Sequence, residues 1–330
     1  MAPYYCSETH SYYGATQKEV RQMDLTPLYR KVVLTVARSK IVAGPAQRVG
    51  MKLGASRFVA GETLDQAFSV VRDLNRRGIL VTMDQLGEGV HEERVAREMC
   101  QAYFDLLDGI ARTGVNANVS LKPSQMGLSF SRPLADEILL AVVRKAAEHR
   151  NFVRIDMEDT PYTDATLEIY RNLRKLGYDN AGTVIQSYLY RTEQDIRDLM
   201  TIGANLRIVK GAYKEPPNLA FPKKADVDEN YKKVIATLLE NGLYTAAATH
   251  DEKIVDWLKQ FAREHNIDKS RFEIQMLYGV RMAWQEELAR EGYQVRCYVP
   301  FGRMWYPYFT RRIAERPGNF WFLVKNLMKG

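Results

Sequence analysis

Two adjacent arginines, Arg311 and Arg312, lie within Tyr308-Phe-Thr-Arg-Arg-Ile-Ala-Glu-Arg316 near the carboxyl end of the chain. On a helix, Tyr308 and Glu315 would each fall beside both arginines, at separations of three or four residues. A guanidinium fork matches a carboxylate or phosphate through two oxygens, so the pair suits a small anionic substrate. The same segment could also be a solvated basic face, since surface ion pairs are common and weak. What favours chemistry is the set of residues upstream. Asp84, Lys122, Asp156 with Glu158, Gln186, Arg207, His250, Gln275 and Tyr298 each sit in or just after a short apolar run. Lys122, Arg207 and the two arginines are cations of the kind that stabilise negative charge on the pyrimidine end of a flavin during hydride uptake. With a carboxylate held by Arg311 and Arg312, such a set suggests oxidation of a small amino or hydroxy acid.

Other chemistries fit less well. Asp84, Asp156, Glu158 and His250 could ligate a metal, but the remaining histidines (His10, His91, His149 and His265) fall away from the apolar runs. Zinc usually takes two or more nitrogen or sulfur ligands, which this set does not offer, whereas magnesium is harder to exclude. Gly87-Glu88-Gly89 lacks the third glycine of a dinucleotide turn, and neither a Walker loop nor Gly-x-Ser-x-Gly occurs.

The elements that must position these residues alternate along the chain. Apolar runs occur at 79–84, 117–122, 152–156, 183–186, 206–210, 245–250, 272–276 and 295–299. Amphipathic stretches follow at 92–111, 134–148, 165–176, 193–200, 229–240, 253–264, 283–290 and 304–316. Strand–helix alternation argues for a parallel sheet, and this many units fit an α/β fold of the (β/α)₈ TIM-like barrel type, whose active face is the carboxyl end of its strands. Alternation along each strand predicts that Ser120 and Asn118 face inward with Lys122, Arg154 with Asp156, and Arg296 with Tyr298. It also predicts an Arg154–Glu273–Arg296 ion cluster one layer below the mouth, because buried arginines need acidic partners. Ala246, Ala247 and Ala248 suit either a flat ring system over the barrel mouth or close helix–strand packing. Helical patterns at 28–60 and 63–77 precede the barrel. The expected organisation is an extension over 1–23, a helical segment over 24–78 packed on the barrel, and a catalytic barrel over 79–330 that ends in a substrate-binding helix.

The composition, 46% hydrophobic and 26% charged, is that of a globular protein with ample core. No run is long and apolar enough for a membrane span, and no signal-peptide core is evident. The cysteines, Cys6, Cys100 and Cys297, are odd in number and widely spaced, which points to a reducing, cytoplasmic compartment. The net charge of +7 is spread among acids without a basic tract, so nucleic acid is not an expected partner, while a loose peripheral contact with a membrane stays open.

Several motifs in order resemble the monofunctional bacterial proline dehydrogenases, a flavin-dependent family built on a distorted (β/α)₈ barrel. They are Arg57–Glu62, Val119–Lys122, Ile155–Asp159, Val184–Tyr190, Leu206–Tyr213, Ala248–His250, Phe272–Gly279, Tyr298–Pro300 and the Tyr308–Glu315 helix. The resemblance implies FAD as cofactor, L-proline as substrate, hydride transfer to the flavin N5 to give Δ1-pyrroline-5-carboxylate, and a membrane quinone as electron acceptor. It implies that Lys122, Arg311 and Arg312 bind the proline carboxylate, with Asp156, Tyr298, Tyr308 and Leu277 shaping the pocket. Gln186, Arg207, Lys210, Gly211, Tyr213, Thr249, His250, Gln275 and Glu315 fall to the cofactor, and Lys224 to its phosphates. Glu62 would pair with Arg311 to close the site. No aldehyde dehydrogenase module follows, so a separate pyrroline-5-carboxylate dehydrogenase would act next.

Overall fold

The computed structural model describes residues 35, 50–51, 54–87 and 90–315. The expected extension over 1–23 and most of the helical pattern at 28–60 lie outside the described residues. Eight parallel strands close into a barrel in sequential order: β1 (Leu80–Gln85), β2 (Ala117–Leu121), β3 (Val153–Ile155), β4 (Ala181–Gln186), β5 (Leu206–Val209), β6 (Thr245–Ala248), β7 (Phe272–Leu277) and β8 (Gln294–Phe301). Helix α1 (Leu64–Arg76) precedes β1. The helices that follow the strands are α2 (Glu93–Thr113), α3 (Arg132–Glu148), α4 (Thr160–Lys175), α5 (Thr192–Met200), α6 (Lys224–Glu240), α7 (Glu252–Glu264), α8 (Met282–Arg290) and α9 (Trp305–Glu315). Among the described residues no helix is long and apolar enough to cross a membrane.

Alternation along the strands divides the molecule into two environments. Outward residues such as Val81, Met83, Val119, Ile155, Ile208 and Ile274 join one apolar core beneath the helices. The inward positions of the same strands carry Thr82, Asp84, Ser120, Arg154, Arg207, Glu273, Gln275 and Arg296, so the lumen is polar while the shell is dry. A βα barrel more often fills its interior with branched aliphatics. Here each buried polar group has to find a partner inside the barrel.

Several strands stop short of their predicted ends. β2, β3 and β6 end at Leu121, Ile155 and Ala248, leaving Lys122, Asp156 and His250 just beyond the ladder. Pro123 cannot donate to a neighbouring strand, and it begins a short 3₁₀ turn, Pro123–Met126. Several helices begin earlier than the apolar pattern suggested, as in α6, which starts at Lys224, because the first turn faces solvent and carries charge rather than periodicity.

A second, smaller apolar cluster joins Ala55, Phe58 and Val59 to Leu86 and to Trp305, Tyr308 and Phe309 of α9. The same amino-terminal stretch bonds to the end of β8, with Ala60 N–H donating to Pro300 O at 2.9 Å and Gly302 N–H to Gly61 O at 2.9 Å. It is a strut between α9 and the ends of β1 and β8. Where the strut passes the β7–α8 loop, Gly279 has φ +77, and a Cβ there would stand 1.8 Å from the Arg57 carbonyl oxygen. Gly279→Ala should therefore destabilise the fold by about 1–3 kcal/mol through a left-handed backbone and a direct overlap. Urea unfolding would measure it, and a midpoint equal to that of the parent protein would show that the strut moves aside freely.

Candidate active site

Asp156, just past β3, is the hub of the mouth. Its Oδ1 accepts from Arg207 Nη1 at 2.7 Å and from Ser120 Oγ at 2.7 Å, and its Oδ2 accepts from the Tyr298 hydroxyl at 2.9 Å. These donors come from β5, β2 and β8, so the contact spans the lumen. Lys122 Nζ lies 3.1 Å from Asp84 Oδ2, 3.4 Å from the Tyr298 hydroxyl and 3.8 Å from Asp156 Oδ2. Burial, together with Asp156 and Asp84, pushes the Tyr298 phenol well above its ordinary range, so it remains a donor. The Arg207 guanidinium also stacks 5.3 Å from the centre of the Tyr298 ring.

A hydrogen-bonded chain below the hub fixes Arg207. Its Nε donates to Gln275 Oε1 at 2.5 Å, and the Gln275 amide donates in turn to Glu273 Oε1. Because Glu273 can only accept, it orients the Gln275 carbonyl toward Arg207. Arg296 Nε bridges both Glu273 oxygens at 2.9 Å, and Arg296 Nη1 reaches Val81 O at 2.9 Å. Burial raises the Glu273 carboxyl, but Arg296, the Gln275 and Tyr244 hydrogen bonds and Arg154 together outweigh it, and the net displacement is downward. The predicted three-member ion cluster is thus a Glu273–Arg296 pair. Arg154 does face the lumen, but it bonds to Asn205 Oδ1 at 2.6 Å and to the carbonyls of Asn205 and Thr183. Backbone oxygens on the neighbouring strands are nearer to it than the carboxylate across the barrel.

The rim beside β5 and β6 holds a second charged group. Lys210 Nζ contacts Asp228 at 2.6 Å and Asp251 at 2.8 Å, and the exposed Lys224 meets the same two carboxylates. Gly211, at φ +114, allows the chain to pass the Tyr188 ring, where a Cβ would come within 2.3 Å. Tyr213 beyond it is exposed. The loop carrying Tyr213 is stapled to the start of α4 by Glu215, which accepts from Thr160 N–H at 2.9 Å and Thr160 Oγ1 at 2.6 Å. His250 Nε2 accepts from Leu277 N–H at 2.9 Å. Gln186 is buried and donates to Glu158 O at 2.9 Å, while Thr249 Oγ1 accepts from Asp251 N–H at 3.1 Å. Ala246 and Ala248 pair in register with Glu273 and Gln275 and keep the lumen open between β5 and β7, while Ala247 packs outward into the shell.

Helix α9 follows β8 and packs against Leu86, just past the end of β1. Its Trp305 Nε1 donates to Glu62 Oε1 at 2.7 Å, and the Arg312 guanidinium lies 5.3 Å from the Tyr308 ring centre. Glu62 thus meets the foot of the arginine helix. The Glu315 side chain lies outside the described residues. Lys122, Asp156, Tyr298 and Arg207 are therefore brought into one contact network, with Gln275 bonded beneath it. Lys210 and Lys224 form a separate cluster on the rim. Asp228, Asp251, Glu215 and Trp305 were absent from the sequence reading, since each supports a neighbour that sequence spacing does not reveal. Among the described residues no group of three or more histidine, cysteine or acidic side chains is placed to hold a metal.

The hydrogen bond from Lys210 holds the Asp251 carboxyl down at about 2, against about 3.9 in an unfolded chain. A lowered native pKa contributes stability above the unfolded value and loses it as pH falls toward the folded one. Asp251→Asn should therefore be less stable than the parent at neutral pH, with the gap closing between about pH 4 and about pH 2. Urea unfolding at stepped pH checks this, and a gap constant through that window would assign Asp251 to packing alone.

Comparison with known proteins bears on the whole barrel. Residues 67–323 match the family described as Proline dehydrogenase. The chain is 44% identical to Proline dehydrogenase 2 of Bacillus subtilis (strain 168), across 91% of this chain and 99% of that protein. It is also 44% identical to Proline dehydrogenase of Deinococcus radiodurans, across 92% and 99% of the two chains. Among solved structures, proline utilization A (PutA) from Bdellovibrio bacteriovorus, inactivated by N-propargylglycine, superposes with a TM-score of 0.77 at 26% identity. That match covers 87% of this chain and only 36% of the longer one.

Proposed function

The chain belongs to the proline dehydrogenase family, and we propose that it oxidises L-proline to Δ1-pyrroline-5-carboxylate with FAD as oxidant, the first step of proline catabolism. The observation that carries this reading is the Asp156–Arg207–Tyr298–Lys122 network at the carboxyl ends of the strands. The residues present fit a flavin. The lumen beside β6 is floored by alanines, Arg207 is fixed next to it, and Lys210 and Lys224, paired on the rim with Asp228 and Asp251, are the cations that a diphosphate would have to share. Gln186, Arg207, Thr249, His250 and Gln275 would face the ring system, with Gly211, Tyr213 and Glu315 completing the cofactor site. Bound there, FAD would supply the hydride acceptor.

The residues of the chain do the positioning. Lys122, Arg311 and Arg312 hold the substrate carboxylate through charge-assisted contacts. Asp156, Tyr298, Tyr308 and Leu277 set the plane and the depth of the ring. A hydride leaves the carbon beside nitrogen, so no base is needed at carbon, but the nitrogen must be neutral. Activity should accordingly rise toward alkaline pH. Glu62 already accepts from Trp305, so it anchors α9 in addition to any pairing with Arg311 that closes the site. Electrons would pass to a membrane quinone, and a separate pyrroline-5-carboxylate dehydrogenase would consume the product. A net charge of +7 favours loose contact with an anionic membrane surface from the cytoplasmic side, where a quinone can be reached.

The visible spectrum tests the cofactor. The purified protein should be yellow, and anaerobic L-proline should bleach it. A protein that stays colourless after FAD is added would defeat the flavin reading, whereas a yellow protein that proline does not bleach would defeat only the substrate. Arg312→Met should raise KM for proline about ten- to a hundred-fold with flavin still bound, since a charge-assisted contact is worth about 1.5–3 kcal/mol. Steady-state kinetics decide it, and an unchanged KM would remove Arg312 from the carboxylate site.

A further inference from the structure

Asp84 has no role in the reading above, yet it is only 1% exposed. It occupies the last inward position of β1, where its Oδ2 lies 3.1 Å from Lys122 Nζ. Its Oδ1 is buried and, among the described residues, lacks a donor in good hydrogen-bond geometry, although the Tyr298 and Tyr103 hydroxyls lie nearby. Leaving a buried carboxylate oxygen unsatisfied is costly, and asparagine would fill the same volume without a charge. Burial pushes the Asp84 carboxyl up, and Lys122 is the largest influence against that displacement, so the two charges support each other.

The charged and titratable groups around Lys122 come from several elements. Asp84 stands on β1, Asp156 and Glu158 follow β3, Tyr298 stands on β8, Arg207 on β5 lies beyond Asp156, and Tyr213 belongs to the loop after β5. Arg311 and Arg312 of α9 would share the substrate carboxylate. Asp156 is already engaged by Arg207 at 2.7 Å, whereas the ion pair of Asp84 is with Lys122. We propose that Asp84 is a positioning residue whose buried carboxylate keeps the Lys122 ammonium charged, and aimed at the substrate carboxylate, through the alkaline range in which the substrate nitrogen loses its proton. This rests on the reading that Lys122 holds that carboxylate.

The reaction makes two opposed demands. The substrate nitrogen must give up its proton, while a half-buried lysine at the same site must keep its own. Burial alone would lower Lys122, but Asp84 first and Asp156 second carry it above the ordinary lysine value. A nearby opposite charge stabilises the charged form by about one to three pH units. Asp84 thereby separates the two titrations.

Cyclopentanecarboxylate has the ring and the carboxylate without the nitrogen, so its binding reports the cation site alone. Its Kd for the holoenzyme would be measured by calorimetry from about pH 7 to about pH 10.5, in the parent, Asp84→Asn and Lys122→Met. Lys122→Met should bind at least about tenfold more weakly near neutrality. Asp84→Asn should bind as well as the parent there and lose binding about one to three pH units earlier. Profiles for Asp84→Asn and the parent that superimpose across this range overturn the inference and leave the role of Lys122 standing. Binding by Lys122→Met equal to that of the parent overturns both. If Asp84→Asn does not fold, the parent decides by nuclear magnetic resonance of lysine isotopically labelled at Nζ, with the signal assigned by its loss in Lys122→Met. An ammonium that persists beyond the ordinary lysine value of about 10.4 supports the inference, and titration at or below that value overturns it.

Discussion

The Asp156–Arg207 ion pair, closed at 2.7 Å between the ends of β3 and β5, is the contact on which the barrel lumen depends. Charges taken from water must be matched at short range, and removing one member of such a pair typically costs about 3–5 kcal/mol. Each further polar residue in the lumen extends that matching. Ser120 and Tyr298 complete the acceptor sites of Asp156, while Gln275, Glu273 and Arg296 carry the hydrogen bonding of Arg207 down to the next layer. The lumen therefore resembles a salt lattice more than an oil core. That rigidity suits a site that must hold a small ring without rearranging.

The dry shell makes this polar interior affordable. Strand residues such as Val119 and Ile274 bury their side chains beneath the helices, so the barrel closes without help from the lumen. The inward positions are then free to carry chemistry. The alternation that gives one strand an apolar and a polar face thus separates stability from function at the level of single residues.

A different device positions the arginine helix. Phe58 and Val59 pack with Trp305 and Phe309, and Glu62 accepts from the Trp305 indole, so a stretch ahead of the barrel determines where α9 sits. Residues more than two hundred positions apart in the chain meet here. The periodicity of neither segment announces the other.

The strand–helix alternation, and the inward face of each strand, were legible in the amino-acid sequence because side-chain direction follows a local two-residue period. Lys122, Asp156, Arg207 and Tyr298 could be singled out for the same reason, as polar residues in or just after apolar runs. Spacing could not reveal partners. Arg154 was expected beside Glu273 and instead turned to Asn205 and nearby carbonyls, because the choice depended on distances across the closed barrel. Asp228 and Asp251, which hold Lys210, lie on different helical units and carry no shared pattern. By itself the sequence determined the barrel, the polar mouth and the family resemblance, all of which rest on local period or on motif. Only the tertiary structure decided which charges pair, since pairing is a matter of distance between elements brought together by closure.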